Sequence, residues 1–132
     1  MPIILSLAKT NNVLWAAGPE GLFKVNGHGL EAVPQPQQEL ACCASDGKRI
    51  LVGGLPHGTA FSPDVGGNWQ ASWMDGVDTS VLCIAPDPRA ADSGVLLAGS
   101  AGGGVLRSQN RGDSWLVCNY GLYDFTVLAL AW

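Results

Sequence analysis

The sequence predicts an all-β fold made of a repeated four-stranded unit, and three observations support it. Short runs of β-branched and aliphatic residues alternate with Gly, Asn and Asp, the pattern of strands joined by turns. No stretch has convincing helical periodicity, and glycine and proline, which supply 18 and 8 of the 132 residues, would break most candidate helices. Two kinds of segment also recur along the chain, which indicates internal repeats.

The repeat length identifies the architecture. Segments of the first kind, short and apolar, lie at 3–9, 39–45, 80–86 and 126–132. Segments of the second kind follow the first three, at 13–27, 50–64 and 95–110. Aligning Ile4, Leu40, Val81 and Val127 gives steps of 36, 41 and 46 residues. These steps suit a blade of four strands, so the sequence predicts a β-propeller with about three blades and the first strand of a fourth.

The strands can be placed in order within each period. The first period has strands near 3–8, 12–17, 21–25 and 30–33, and a turn of the Asn-Gly type at Lys24–Gly27 joins its last two. The second period has strands near 39–44, 49–54, 58–62 and 69–73. The third has strands near 80–85, 95–99, 104–108 and 115–118, and a last strand begins at about 126. The blades are therefore expected at 3–36, 37–77 and 78–122, with the next one starting within 123–132.

Two turns carry a more specific motif. The segments SPDVGGNW (Ser62–Trp69) and SQNRGDSW (Ser108–Trp115) both fit the pattern Ser-x-Asp/Asn-x-Gly-x-x-Trp, at the same phase of the repeat. The pattern resembles the Asp-box, or bacterial neuraminidase repeat. That repeat occurs in propellers of sialidases, xyloglucanases, sortilin-type receptors and photosystem II assembly factors. The resemblance covers most of residues 39–132 and, weakly, 3–33; it implies the propeller fold and leaves the function open.

The residues of the two motifs are expected to be structural. The set comprises Ser62, Asp64, Gly66 and Trp69 in the first motif, and Ser108, Asn110, Gly112 and Trp115 in the second. The Asp or Asn side chain can accept hydrogen bonds from loop N–H groups, and the Gly can adopt a positive φ. The Trp can pack as an apolar plug whose indole N–H bonds a carbonyl. In the family that the motif resembles, these boxes lie away from the catalytic face, so we do not expect Asp64 to be a catalytic acid or a metal ligand.

Composition excludes several classes of function. A formal net charge of -4 and seven scattered basic residues argue against a nucleic-acid surface. No apolar run approaches the roughly 18 residues of a membrane span, and the N-terminal residues lack the features of a signal peptide. The four cysteines, Cys42, Cys43, Cys83 and Cys118, form no C-x-x-C pair, so we expect free thiols, no zinc and a reducing, cytoplasmic compartment.

Several possible functional signals have simpler explanations. His28 and His57 have no partner at metal-ligand spacing. The tripeptide Arg111–Asp113 matches an integrin-binding motif, but it lies inside the second box, where Gly112 is needed for the turn. The three glycines at 102–104 lack the Lys-Ser/Thr of a phosphate-binding loop, so they predict a hairpin. We expect no cofactor and no metal.

The sequence does not contain a recognisable set of catalytic residues. Asp75, Asp78 and Asp124 fall in inter-blade loops that could border a central channel, either as an acid–base pair or as solvated carboxylates. Sialidases have an Arg-Ile-Pro near the start and a Tyr/Glu nucleophile pair. Here Arg49 is followed by Ile50 and Leu51, and Tyr120 and Tyr123 have no Glu nearby.

The sequence therefore favours a non-enzymatic binding or assembly scaffold that engages a protein or a glycan. The alternative is a fragment of a glycosidase-like hydrolase of the sialidase or xyloglucanase type. Closure of a propeller takes four to eight blades, so we expect this chain to need a longer polypeptide, a protein partner or another copy of itself to complete the ring. The strand pattern that is still running at Trp132 favours the first of these.

Overall fold

The computed structural model of the chain describes residues 3–10, 12–27, 29–37, 39–55, 58–64, 66–74, 80–118 and 130. These residues form three antiparallel sheets and a single helical turn. In each sheet four strands form an antiparallel meander that pairs in chain order, and the third sheet gains a fifth strand in parallel. The last predicted strand, from about 126, lies outside the described residues, as do His28, His57 and the loop aspartates 75, 78 and 124.

The sheets correspond to three blades. Blade 1 contains β1 (Ser6–Thr10), β2 (Val13–Gly18), β3 (Gly21–Asn26) and β4 (Gly29–Val33). Blade 2 contains β5 (Glu39–Ser45), β6 (Ile50–Leu55), β7 (Thr59–Ser62) and β8 (Gln70–Ala71), and β9 (Trp73–Met74) follows it. Blade 3 contains β10 (Val81–Pro86), α1 (Ala90–Ser93), β11 (Leu96–Ser100), β12 (Val105–Ser108) and β13 (Ser114–Val117). Each blade begins with the apolar segment that starts a sequence repeat.

Three details differ from the sequence-based predictions. The strand expected at 69–73 is divided: β8 stays in blade 2, whereas β9 pairs in parallel with β13 and becomes a fifth strand of blade 3. The turn expected at Asn26 and Gly27 begins one residue later, because Asn26 still pairs with Gly29. The loop before β11 contains the helical turn α1, which has only four residues and therefore leaves no periodicity in the sequence.

Local hydrogen bonds explain α1. The Asp87 carboxylate accepts hydrogen bonds from the Arg89 N–H at 2.9 Å and from the Ser93 hydroxyl at 3.3 Å, which folds the chain back on itself. Gly94 then ends the turn at φ 75°, in the left-handed region that glycine adopts readily. Within the described residues, no helix has the length and apolar character needed to cross a membrane.

The apolar core consists of two layers between blades. The layer between blades 1 and 2 contains Trp15, Ala17, Leu22, Leu40, Cys43, Ile50, Val52 and Ala60. The layer between blades 2 and 3 contains Cys42, Leu51, Phe61, Val81, Ala90, Leu96, Ala98, Leu106 and Trp115. Blade 2 therefore buries both of its faces, as expected for a blade inside a propeller.

Strand alternation decides which layer each residue joins. Successive side chains point to opposite faces of a sheet, so Cys42 lies in the layer shared with blade 3 and its neighbour Cys43 in the layer shared with blade 1. In β6, Ile50 and Val52 face blade 1 whereas Leu51 faces blade 3. The adjacent Cys42 and Cys43 therefore lie on opposite faces of β5.

Candidate functional site

The two motif turns, box 1 (Ser62–Trp69) and box 2 (Ser108–Trp115), lie between the third and fourth strands of blades 2 and 3. In box 1 the Ser62 hydroxyl donates to Asp64 Oδ1 at 2.8 Å and accepts the Gly66 N–H at 2.8 Å. The Asp64 carboxylate also accepts the backbone N–H and the side-chain amide of Asn68, at 2.7 and 2.5 Å. These bonds, the Asn68 N–H first and the Ser62 hydroxyl next, hold the pKa of Asp64 below its ordinary value.

Box 2 repeats this arrangement with an amide in place of the carboxylate. The Ser108 hydroxyl donates to Asn110 Oδ1 at 2.9 Å and accepts the Gly112 N–H at 2.8 Å. Asn110 Oδ1 also accepts the Ser114 N–H at 3.0 Å, and its amide nitrogen donates to the Ser114 hydroxyl at 2.8 Å. An uncharged Asn therefore accepts the same two bonds as Asp64, from the serine hydroxyl and from the N–H four positions later, while its amide nitrogen donates where the carboxylate accepts. A turn-ordering role requires these two accepted bonds and no charge.

The glycine of each box lies against the preceding blade. Gly66 has φ 88°, and a Cβ added there would lie 3.0 Å from Val33 Cγ1 and 3.2 Å from Trp15 Cη2 of blade 1. Gly112 has φ 90°, and its added Cβ would lie 2.5 Å from Leu51 Cδ2 of blade 2. Both positions therefore favour glycine for two reasons. The backbone needs a positive φ, and the neighbouring blade leaves no space for a side chain.

The box tryptophans pack between blades, but their polar atoms are not paired as expected. Trp115 is fully buried in the layer between blades 2 and 3, and Trp69 packs against the layer between blades 1 and 2. None of the described residues accepts a hydrogen bond from either indole N–H, so the predicted bond to a carbonyl is wrong for both. A different tryptophan, Trp15, does have a partner, since its indole N–H donates to Thr10 Oγ1 at 2.7 Å.

Two ion pairs join box 2 to the first turn of blade 2. Asp46 Oδ1 accepts the N–H groups of Lys48 and Arg49, at 2.9 and 2.8 Å, while its Oδ2 accepts Arg111 Nε at 2.7 Å. Arg49 Nη1 donates to Asp113 Oδ1 at 2.8 Å and to the Arg111 carbonyl at 3.1 Å. We call these five residues the inter-blade clamp.

The clamp has a distinct electrostatic character. Burial opposes the charge on Asp46, but the Arg111 guanidinium and the two backbone N–H groups outweigh it and hold the pKa of Asp46 below its ordinary value. Hydrogen bonding to Asp46 likewise raises the pKa of Arg111. Arg111 also has φ 62°, uncommon for a residue with a side chain, and its N–H donates to the Gly94 carbonyl at 2.9 Å.

The clamp explains the Arg-Gly-Asp tripeptide. Arg111 and Asp113 each bond a residue of blade 2, and Gly112 is the buried glycine of the box. An integrin-type ligand presents these side chains freely on a loop, whereas here both are engaged in joining blades. Asp46 and Arg49 could not be predicted as their partners from the sequence, because the pairs span more than 60 positions along the chain.

The cysteines of the described residues are free thiols of differing exposure. Cys42 and Cys43 are buried, Cys83 is half-buried and Cys118 is exposed. Burial raises the pKa of the Cys43 thiol to about 11, and burial, with the neighbouring Cys43 and Cys83 thiols, raises the pKa of Cys42 further. The two adjacent thiols therefore behave as small apolar groups rather than as nucleophiles.

The described surface includes a depression beside box 2 and an apolar sheet face. The depression, of about 260 Å³, lies on blade 3 beside box 2 and is lined by residues that include Arg107, Asn110, Leu116 and Cys118. The apolar face is on blade 1, opposite the layer shared with blade 2, and exposes leucines at 7, 14 and 30. Among the described residues, no group of three His, Cys, Asp or Glu side chains could hold a metal ion.

Comparison with known proteins places this fold among propellers. No protein-family model and no curated protein matches the sequence. Among solved structures, an ancestral GH74 enzyme is similar at a TM-score of 0.71 and 19% identity, over 90% of this chain and 19% of that chain. YCF48 from Cyanidioschyzon merolae is similar at 0.65 and 18%, over 87% of this chain and 36% of that chain. A YCF48 structure bound to a D1 peptide is similar at 0.59 and 17%, over 86% and 38%.

These likenesses confirm the predicted class. The chain is a partial β-propeller of the kind found in GH74 enzymes and YCF48. It spans about a fifth of the GH74 enzyme and somewhat more than a third of each YCF48 chain. Because the identities are below 20%, the likeness concerns the fold and not the activity.

Proposed function

We propose that the chain is a non-enzymatic assembly scaffold, a propeller segment whose role is to bind a protein. The observation that carries the proposal is the distribution of its side chains. The charged groups of the boxes and the clamp are engaged in ordering turns and joining blades, while large apolar side chains remain exposed on blade 1. A contiguous exposed apolar surface is typical of a site for protein association.

Four carboxylates of the turns support a structural role over a catalytic one. Hydrolysis of a glycoside requires two carboxyl groups about 5–10 Å apart across a groove, one of them able to donate a proton. Asp46, Asp64 and Asp87 instead accept hydrogen bonds within turns, and Asp113 pairs with Arg49. The lowered pKa values of Asp46 and Asp64 are the opposite of what a general acid needs.

A protein is a better-supported ligand than a glycan. One structurally similar chain, YCF48, has been solved with a D1 peptide bound, so a propeller of this shape can hold a polypeptide. The exposed leucines of blade 1 also suit a protein surface, whereas carbohydrate sites need hydrogen-bonding groups for the sugar hydroxyls. Binding to a partner, or to another copy, would at the same time cover the apolar blade faces and complete the ring.

A second candidate function is that of a glycosidase-like hydrolase, of which this chain is a segment. It is favoured by the similarity to the GH74 enzyme, at a TM-score of 0.71. Its carboxylates would come from the loop aspartates 75, 78 and 124, which lie outside the described residues.

Crosslinking at two lysines tests the scaffold proposal. Lys9 lies on the exposed face of blade 1, beside Leu14 in the pairing register, whereas the exposed Lys48 lies in the first turn of blade 2. An amine-reactive crosslinker added to cells producing the tagged chain should join proteins to Lys9 in preference to Lys48. The variant Leu30→Asp, which places a charge on that face, should abolish the Lys9 crosslinks and leave those at Lys48.

A parallel assay tests the hydrolase alternative. The purified chain is incubated with synthetic aryl glycosides, and release of the aryl alcohol is compared with that from a variant in which aspartates 75, 78 and 124 are replaced by alanine. The scaffold proposal expects no difference between them. Turnover that disappears in the triple variant, together with equal crosslinking at Lys9 and Lys48, would contradict it.

A further inference from the structure

We propose that the outward faces of blades 1 and 3 are the two halves of a third inter-blade interface, and that a second copy of this chain occupies it head to tail. This inference rests on the proposed scaffold function and names its partner. The outward face of blade 1 comprises Leu7, Lys9, Leu14, Ala16, Phe23, Val25, Leu30 and Ala32. The outward face of blade 3 comprises Cys83, Ala85, Leu97, Val105, Arg107 and Leu116.

In both inter-blade interfaces described above, the later blade contributes side chains from the same three strand positions. Blade 2 meets blade 1 through Ile50 and Val52 of β6 and Ala60 of β7, all three fully buried. Blade 3 meets blade 2 through Leu96, Ala98 and Leu106, which hold the corresponding register positions in β11 and β12 and are also fully buried. These three positions therefore define the face that a blade turns toward its predecessor.

Blade 1 carries apolar residues at the same three positions. The pairing register of β2 and β3 places Leu14, Ala16 and Phe23 where blade 2 has Ile50, Val52 and Ala60. Leu14 nevertheless remains 39% exposed, and Phe23 is only half-buried. Leu7 and Leu30, which lie on the same face in the two outer strands of blade 1, are 63% and 41% exposed. Apart from Lys9, this face has the composition of a blade interface, and no blade among the described residues lies against it.

The earlier blade of each interface also contributes a residue from an equivalent position, on which the box of the later blade rests. Blade 3 has an apolar residue at that position too. Box 1 rests on Trp15 of blade 1, and box 2 rests on Leu51 at the equivalent position of blade 2. Leu97 holds that position in blade 3, and it is half-buried. Cys83 and Ala85 beside it correspond to Cys42 and Ala44, which flank Leu51.

The charged residue on the outward face of blade 3, Arg107, is compatible with the proposed interface. Arg107 stands opposite Leu97, where blade 2 has Phe61 and blade 1 has Lys24. In blade 1, Lys24 places its ammonium 5.5 Å over the Trp15 ring, so a cation is already accommodated at this position in an established interface. An aromatic ring of a docked face would serve Arg107 in the same way, and Phe23 of blade 1 offers one.

A second copy of the chain would cover the outward faces of blade 1 and blade 3 at the same time. Blade 3 of one copy presents the face that receives a following blade, and blade 1 of the other presents the face that turns toward a preceding one. Such a head-to-tail contact is heterologous, and the three described blades of two copies add up to six, within the four to eight that propellers use. The short turn of blade 1 does not obstruct this, since no described atom lies within 4 Å of a Cβ placed on Gly27.

The mass of the full chain in solution is the first test. Sedimentation velocity should give twice the 13.7 kDa of one chain, concentration-dependent at high dilution. The variant Leu14→Asp should shift the mass to that of one chain. Val117→Asp is the matched control, because Val117 is similarly exposed but pairs with Leu106 on the opposite face of blade 3, so its mass should not change. Circular dichroism establishes that both variants are folded.

Crosslinking between variants tests the orientation. In a background with Cys83→Ser and Cys118→Ser, chains carrying Leu14→Cys are mixed with chains carrying Leu97→Cys and treated with a short bismaleimide. Head-to-tail docking predicts crosslinks only in the mixture. Crosslinks in the Leu14→Cys sample alone would indicate that two copies of blade 1 face each other and would overturn the inference, as would a cooperatively folding monomer. A monomer that still crosslinks other proteins at Lys9 would refute self-docking and leave the scaffold function intact.

Discussion

Replacing Gly112 with alanine should destabilise the chain through two separable effects. The first is backbone strain, because alanine at φ 90° costs on the order of 1–3 kcal/mol. The second is a steric clash, because the new Cβ would lie 2.5 Å from Leu51 Cδ2 in a fully buried layer. Overpacking of this kind costs about 1–3 kcal/mol, so the free energy of unfolding should fall by about 2–6 kcal/mol in total.

Other glycines of the chain isolate the two effects. Gly47 has φ 102° with no described atom near an added Cβ, so Gly47→Ala should show the backbone strain alone, about 1–3 kcal/mol. Gly66→Ala should fall between the two, since its Cβ would approach Val33 Cγ1 to 3.0 Å. Urea unfolding with linear extrapolation gives all three values. Equal losses for Gly47→Ala and Gly112→Ala would refute the close inter-blade contact at box 2.

Three further predictions concern the polar groups and thiols. Asp64→Ala should lower the unfolding midpoint more than Asp64→Asn, because asparagine makes the same turn bonds in box 2; equal midpoints would contradict the turn-ordering role. The pKa values of Asp46 and Asp64 are lowered on folding, so their stabilisation is complete above the ordinary value of 3.8 and is lost as the pH falls through the folded values. Urea titrations at several pH values should show this loss, and Asp46→Asn should make it smaller. Thiol labelling of the native chain should modify Cys118 quickly and Cys42 and Cys43 only at the rate of unfolding; rapid labelling of all three would mean that the blades separate readily.

The sequence predicts much of the local structure, because that structure follows from short-range patterns. Twelve of the fourteen elements lie where alternation and turn residues predict a strand; the exceptions are α1 and the two-residue β9. The division between β8 and β9 could not be foreseen, since it depends on the edge of β13 in another blade offering a pairing position. A pattern within one strand carries no information about such an edge.

The candidate site was predictable only in part, for a related reason. The internal bonds of the boxes join residues two to four positions apart, and a motif can encode them. The contacts of the boxes with the preceding blade, to Leu51, Asp46 and Arg49, depend on how sheets stack. The pairing of the box tryptophans was mispredicted because burial against apolar neighbours stabilises the ring without a hydrogen bond to its N–H.

The two-sided burial of β6 has a consequence for how the chain finds its register. A slip of one residue would exchange Leu51 with Ile50 and Val52 between the two layers, and because all three are aliphatic, hydrophobicity barely distinguishes the slipped pairing from the native one. The register must instead be set at the ends of the strand, by the turn in which Asp46 accepts two backbone N–H groups and by the bulge between Leu40 and Cys42. Formation of that hairpin before the blades stack would thus select the native register. A chain with a disrupted Asp46 turn would refold slowly through misaligned sheets.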